Sequence, residues 1–230
     1  MVDGFLSKGY TAPRDGTAES RLAAAVRRLM DATVLTDAGE DEMRAVAGRL
    51  DAISEQLEGP DATRLAGGMR WPSRDKMVQG DRDHNPMAGP ANPLSPPMHV
   101  EVVDPATDEV GAELTMRPIH EGPPAGVHGG WVASLLDQLL GIANIASGNP
   151  AMTGELTVRY HRPTPIGVPL VLRARTESAE GRRMTTTGEI RTADGEVTAS
   201  AVGLFIRPRP ERLDQHERLI KERLSARREA

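Results

Sequence analysis

Cysteine is absent from the 230-residue chain, which excludes disulfides, thiolate metal sites and cysteine nucleophiles. Aromatic residues make up only 3% of the chain, too few for a surface that stacks nucleic acid bases. The 28 basic residues are outnumbered by 33 acidic ones, and the net charge of -5 provides no basic excess for nucleic acid or an anionic membrane. These absences argue against a nucleic-acid partner and fit a reducing compartment.

Long hydrophobic runs are also missing. The longest apolar stretch, 131–146, is interrupted by Asp137 and Gln138, so it is too short and too polar for a membrane span. The first ten residues have no basic region followed by an apolar run, and no signal peptide is expected. The prediction is a cytoplasmic protein without a membrane span.

The residues that are present divide the chain into four parts. We predict a helical hairpin, a Pro- and Gly-rich linker, a main domain and a charged C-terminal helix, over 1–58, 59–97, 98–208 and 209–230 respectively. The linker contains seven of the 18 prolines, and we expect it to lie along the surface and to be extended over 92–97.

The hairpin consists of predicted helices over 17–36 and 39–58. Each carries an apolar stripe at helical spacing, formed by Leu22, Val26 and Leu29 in the first helix and by Met43, Val46, Leu50, Ile53 and Leu57 in the second. Because these stripes need a partner, we expect the helices to pack on the outer face of a sheet or to extend a dimer contact.

The main domain combines strands with one apolar helix. Apolar and polar residues alternate from Met98 onward, and four further strands are predicted over 151–161, 168–178, 182–192 and 196–207. Before these four strands, the pattern over residues 129–147 predicts a strongly apolar helix. An antiparallel sheet that curls around a single buried helix is an α+β arrangement.

The apolar helix carries one carboxylate, Asp137. Leu135, Leu136, Leu139, Ile142 and Ala146 form a broad apolar face, whereas Asp137 shares a stripe with Gly130, Ser134, Gly141 and Asn144. A fully buried carboxylate costs several kcal/mol unless it is solvated or paired. Asp137 is therefore either a water-bonded structural residue or part of a site. The small neighbours favour a site, since they leave room for a ligand or for the close approach of a second helix.

Residues on either side of Asp137 add to this pattern. His128-Gly129-Gly130 starts the helix, where free N–H groups and the positive end of the dipole can stabilise an oxyanion. In the following strand, alternation predicts one face with Thr153, Glu155, Thr157, Arg159 and His161, and an opposite face with Met152, Leu156, Val158 and Tyr160. Thr153 lies where it could return to the helix and hold a water.

The combined motif resembles a known family. His120-Glu-Gly-Pro-Pro-Ala-Gly-Val-His128-Gly-Gly, followed by Asp137, Met152-Thr153 and Tyr160-His-Arg-Pro163, is similar to the hotdog-fold acyl-CoA thioesterases. The likeness is greatest to the mitochondrial thioesterase-superfamily type and extends more distantly to phenylacetate-pathway thioesterases. It covers residues 98–208.

This resemblance implies a hotdog fold that forms dimers or dimers of dimers with active sites at the subunit interface. His128, Gly129 and Gly130 of one subunit would hold the carbonyl of an acyl-CoA thioester. Asp137 of the other would act as general base or nucleophile, and Thr153 would orient the attacking water. More distant relatives carry an asparagine at the spacing of Gly122, and His120 takes the corresponding place in the closer type.

Coenzyme A would be part of the substrate, and neither a cofactor nor a metal is expected. The resemblance assigns its phosphate-bearing moiety to Arg159, His161, Arg182 and Arg183. The six histidines show no metal-binding spacing on one element.

Two alternatives have different sequence signatures. A hotdog hydratase would carry an acid and a histidine on the same helix, but no histidine occurs within 129–147. A non-catalytic module would bind acyl-CoA as a sensor or serve as an interaction scaffold, and the presence of both Asp137 and Thr153 argues against it.

Overall fold

The computed structural model describes residues 16–57, 82–209 and 211. Three α-helices lie in these ranges: α1 (Ala18–Leu35), α2 (Glu40–Leu57) and α3 (Gly129–Ala146). The strands are β1 (His99–Asp104), β2 (Glu109–Thr115), β3 (Met152–Tyr160), β4 (Pro169–Glu180), β5 (Arg183–Thr192) and β6 (Val197–Ile206). They form one antiparallel sheet in the order β1-β2-β4-β5-β6-β3. Helix α3 contacts all six strands, which confirms the predicted α+β hotdog arrangement.

Helix α3 begins and ends where its sequence dictates. The His128 side chain caps the first turn, and at the other end Gly148 adopts a φ of 77°. This left-handed conformation suits glycine and lets the N–H of Gly148 bond the carbonyl of Ile145, so the helix stops there.

The apolar face of α3 forms the centre of the core. The predicted face residues Leu135, Leu136, Leu139, Ile142 and Ala146 are all buried. They pack against side chains from the sheet, which include Val100, Leu114, Leu172, Ile190 and Phe205. At a few kcal/mol for each large buried side chain, this face anchors the helix to the sheet.

Asn144 differs from the sequence expectation, which placed it on the polar stripe with Asp137. It is fully buried, and its Oδ1 accepts hydrogen bonds from the hydroxyls of Thr176 and Thr186. Its Nδ2 donates to the carbonyl of Leu140. The amide is therefore satisfied inside the core, and it connects α3 to β4 and β5.

The docked face of α1 also differs from its predicted apolar stripe. Leu22 is 46% exposed, whereas Ser20, Ala23 and Arg27 are buried. The Arg27 guanidinium donates to the carbonyls of Pro90 and Asn92 at 2.8–3.2 Å. Helix α1 is thus held by a buried arginine that satisfies loop carbonyls, a contact that apolar periodicity does not reveal.

The expectation that the linker lies along the surface, and is extended over 92–97, fails at several of its described residues. Residues 88–91 are buried, and turns rather than extended chain occupy 90–94. Their small side chains allow close packing, and Arg27 donates to the carbonyls of Pro90 and Asn92. Residues 59–81 and nearly all of the predicted C-terminal helix, 209–230, lie outside the described residues.

Helix α2 follows α1 after a four-residue connection. None of its residues is buried, and Met43, Ile53 and Leu57 are each at least 45% exposed. What covers this stripe stays a prediction, as do the domain boundaries. Within 16–57 and 82–209, no helix has the length and hydropathy to cross a bilayer.

Candidate active site

Asp137 lies two turns into α3 with its side chain directed at β3. The carboxylate is half-buried, and its Oδ1 accepts a hydrogen bond of 2.8 Å from Oγ1 of Thr153. A hydroxyl bonded to a carboxylate is a charge-assisted contact, stronger than a neutral pair. Asp137 and Thr153, which the sequence analysis assigned to the helix and to the following strand, are therefore in direct contact.

A β-bulge at Gly154 brings Thr153 to the helix side. The pairing of β3 with β6 shifts register between Thr153 and Glu155, so simple alternation fails at this point. After the bulge, Leu156 and Val158 pack against the core and Tyr160 reaches α3. The prediction that Thr153 and Tyr160 lie on opposite faces of β3 is therefore wrong. A glycine within a strand is the sequence signal for such a bulge.

The start of α3 is organised by His128 and Tyr160. Nδ1 of His128 accepts the N–H of Gly130 at 3.0 Å, and the Tyr160 hydroxyl donates to the carbonyl of Gly129 at 2.9 Å. The N–H of Gly129 has no hydrogen-bond acceptor among the described residues. Of the two glycines, Gly129 therefore carries the N–H available to a ligand. Sequence reasoning gave Tyr160 no role.

His120 lies behind this segment and is 2% exposed. Its Nδ1 accepts the N–H of Arg117 at 3.0 Å, and its ring packs edge-on against Trp131, with centroids 4.7 Å apart. Its carbonyl accepts the N–H of His128. Burial, with the nearby Arg117 charge, lowers the pKa of His120 to about 4, so the ring is neutral at neutral pH.

Gly122 occupies the position at which the distant relatives were expected to carry an asparagine. A Cβ built at Gly122 would lie 2.6 Å from Cα of His128. No side chain fits at that position in this backbone.

The four predicted coenzyme A contacts do not meet within one protomer. All are exposed, but Arg182 and Arg183 lie at the turn between β4 and β5, where Nε of Arg182 donates to the carbonyl of Arg207 at 2.8 Å. Arg159 and His161 lie at the opposite end of the sheet, where His161 contacts Ser200. Arg183 pairs with Ile206 and Arg159 with Ser200, six residues apart on β6, which corresponds to about 20 Å.

The two halves of the candidate catalytic machinery are also separated within one chain. Asp137 and Gly129 are eight residues apart on α3, which corresponds to about 12 Å along the helix axis. A thioester held at Gly129 would lie beyond reach of Asp137 of the same chain. Over the described ranges, no three His, Asp or Glu residues are grouped so as to hold a metal ion.

Comparisons with known proteins place this geometry in a family. Residues 126–199 match the model of the thioesterase superfamily, and residues 10–62 match a model described as the N-terminal helical domain of the hypothetical protein RHA1_ro05818. Two curated relatives are acyl-coenzyme A thioesterase THEM4 from Xenopus laevis, 35% identical over 91 residues, and from Bos taurus, 32% identical over 96 residues. The matches cover 39% and 41% of this chain, and 41% and 39% of those proteins. The chain thus spans about 40% of the length of the curated relatives it matches.

A solved structure extends the likeness over most of the chain. It is the crystal structure of RHA08564, described as a thioesterase superfamily protein, with 38% identity and a TM-score of 0.72. The match covers 86% of this chain and 98% of that one, so it includes more than the hotdog domain. With this coverage and identity, and with the family model matched across α3 and the following strands, the chain belongs to the thioesterase superfamily.

Proposed function

We propose that the protein hydrolyses acyl-CoA thioesters, with Asp137 as the catalytic carboxylate. The observation that carries this proposal is the hydrogen bond between Thr153 and Asp137 on the helix that starts at His128-Gly129-Gly130. The relatives named acyl-coenzyme A thioesterase support the substrate class.

Thr153 is suited to hold the nucleophilic water. Its hydroxyl donates its one proton to Asp137. The oxygen of the hydroxyl can still accept a hydrogen bond from a water. A water that also donates to Asp137 is then oriented at the thioester carbon. Asp137 takes the proton as the carbon–oxygen bond forms, and collapse of the tetrahedral intermediate expels the CoA thiolate, which takes up a proton. Direct attack by the carboxylate would need the same placement of Asp137.

The carbonyl oxygen would become an anion at the start of α3. The N–H of Gly129 and the positive end of the helix dipole stabilise negative charge there, and they act most strongly on the tetrahedral intermediate. His128 accepts the N–H of Gly130 and Tyr160 donates to the carbonyl of Gly129, so the peptide unit that follows the Gly129 N–H is held at both ends. The neutral ring of His120 serves as a positioning residue beneath His128.

A complete site would need two copies of the chain. Among the described residues β3 is an edge strand of the sheet, and its Met152 and Tyr160 are 46% and 54% exposed. Two β3 edges paired about a two-fold axis run antiparallel, so the Tyr160 end of one meets the Thr153 end of the other. This arrangement brings Gly129 of one copy toward Asp137 of the second, and Arg159 toward the second copy's Arg183.

Coenzyme A would then be bound by groups from both copies. Arg182 and Arg183 lie at the sheet end that carries Thr153, and their exposed guanidinium groups are suited to phosphates. Arg159 and His161 would approach from the second copy. The cytoplasmic location and a role in fatty acid metabolism stay predictions.

The first experiment measures thiol release from acyl-CoAs that range from acetyl to palmitoyl and include phenylacetyl. Asp137→Asn is expected to reduce kcat by at least about a thousandfold while coenzyme A binding persists, because it removes the base and keeps the shape. Asp51→Asn, on the exposed helix α2, is the matched control. Turnover near the wild-type value in Asp137→Asn would eliminate the mechanism, and tight binding of acyl-CoA without turnover by the unaltered protein would favour a sensor.

The second experiment tests the shared site by complementation. Asp137→Asn and Gly129→Val chains should each be inactive alone, but mixed dimers formed on co-expression should have one intact site. With random pairing, the mixture should recover about a quarter of the wild-type activity. No recovery from a mixture shown to contain mixed dimers would mean that each site is built from one chain.

A further inference from the structure

Helix α1 is connected to the start of α3 by a continuous series of polar contacts. Nη2 of Arg117 donates to the carbonyl of Arg27 at 2.9 Å, and its Nε lies 3.4 Å from Oδ2 of Asp31. Arg27 precedes Arg117 by 90 residues in the chain, so this contact joins two distant parts of the sequence. Arg117 is thus the residue of the main domain through which the two parts are joined at this point.

From Arg117 the contacts continue toward the candidate active site. The backbone N–H of Arg117 donates to Nδ1 of His120, and the carbonyl of Arg117 accepts the N–H of His120, which closes the short 3-10 turn Pro118–His120. The carbonyl of His120 accepts the N–H of His128 at 2.9 Å, and Nδ1 of His128 accepts the N–H of Gly130. The ring of His120 rests on Trp131 of α3. Every step is a direct contact between neighbours.

The Asp31–Arg117 pair is poorly built for stabilisation. Oδ1 of Asp31 and Nε of Arg117 are buried atoms without a hydrogen-bond partner, although the two side chains are 21% and 27% exposed. A partly buried ion pair of this kind recovers little more than its desolvation cost, and its main effect is to select one arrangement of the groups it joins. The pair fixes where α1 sits relative to the Pro118–His120 turn.

We propose that α1 is a positioning element of the active site, acting through Asp31 and Arg117 on the His120 turn and the backbone that carries His128. This inference rests on the proposed thioesterase activity for its kinetic consequence. The helix thereby has a function beyond covering residues 88–91, since it sets the geometry of the N–H groups that receive the thioester carbonyl. A displacement of about 1 Å at Gly129 is enough to change the rate of a step that depends on aligned donors.

Asp31→Asn in the full chain is the decisive variant because it keeps the shape of Asp31 and alters no residue between 118 and 130. We expect kcat to fall about threefold to tenfold with KM changed by less than about twofold, since the loss is confined to the transition state. Arg28→Gln, on the exposed face of the same helix, is the matched control and should retain the wild-type kcat. Arg117→Gln should match or exceed the effect of Asp31→Asn, and Arg117→Lys, which keeps the charge beside Asp31, should recover part of it.

A second readout does not depend on turnover. Amide hydrogen exchange followed by NMR reports the N–H groups of His128 and Gly130, which should exchange faster in Asp31→Asn than in Arg28→Gln. Unchanged kcat and unchanged exchange in Asp31→Asn would overturn the proposal, as would equal losses in Asp31→Asn and Arg28→Gln. If the unaltered protein hydrolyses no acyl-CoA and exchange at His128 still responds to Asp31→Asn, the proposed function fails while the positioning of the His120 turn by α1 stands.

Discussion

Mild acid should destabilise the protein through His120. The ring is 2% exposed and its pKa is lowered from 6.5 to about 4, chiefly by burial and then by the charge of Arg117, while Asp31 acts in the opposite direction. Between these two values the unfolded chain binds a proton that the folded chain does not. Stability therefore increases with pH across this window, is fully present above about 6.5, and is lost as the pH falls toward about 4. From about pH 7.5 down to about pH 4.5 the loss amounts to about 2.5 kcal/mol.

Urea unfolding at a fixed protein concentration measures this effect when the wild type is compared with His120→Asn. The asparagine oxygen can accept the N–H of Arg117 in place of Nδ1, and the amide does not titrate in this range. The stability advantage of the wild type over His120→Asn should shrink by about 2.5 kcal/mol between the two pH values. His99→Asn, which alters an exposed histidine, should run parallel to the wild type. Parallel curves for the wild type and His120→Asn would refute the reasoning.

Three further substitutions test individual contacts. Thr153→Val should lower kcat about tenfold to a hundredfold, because it removes a charge-assisted hydrogen bond of about 1.5–3 kcal/mol. Thr157→Val on the same strand should leave kcat unchanged. Equal steady-state kinetics for the two variants would contradict the role of Thr153. Tyr160→Phe should lower kcat by only about twofold to tenfold, since one neutral bond to the Gly129 carbonyl is lost, and an unchanged rate would remove the hydroxyl from the site. Asn144→Leu should destabilise the fold by about 2–4 kcal/mol in urea, because the Thr186 hydroxyl loses its buried acceptor; a neutral substitution would show that the network adds no stability.

Local periodicity was sufficient for most of the fold. Alternation of period two located the strands, and the apolar residues of α3 identified its buried face, because both patterns reflect which side of an element meets the core. The family motif predicts that Asp137 and Thr153 act in one site. The two residues are 16 positions apart in the chain and are hydrogen-bonded in the structure.

The parts that were missed depend on single long-range contacts. The bulge at Gly154 reverses the alternation of β3, and no periodic pattern contains that information beyond the glycine itself. The docked face of α1 is selected by Arg27, whose partners are carbonyls more than 60 residues away. Likewise, the connection from Asp31 to His120 passes through Arg117, an arginine that looks like any surface residue in the sequence.

The central claim is that Asp137 acts on a thioester held at the start of α3 of a second copy. The most direct test is a crystal structure of the protein with a non-hydrolysable acyl-CoA analogue. The account predicts a carbonyl carbon within about 4 Å of the Asp137 carboxylate or of a water bound to it, and a carbonyl oxygen at the N–H of Gly129 of the neighbouring chain. An analogue bound with its carbonyl remote from Asp137, or held at the glycines of the same chain, would contradict it.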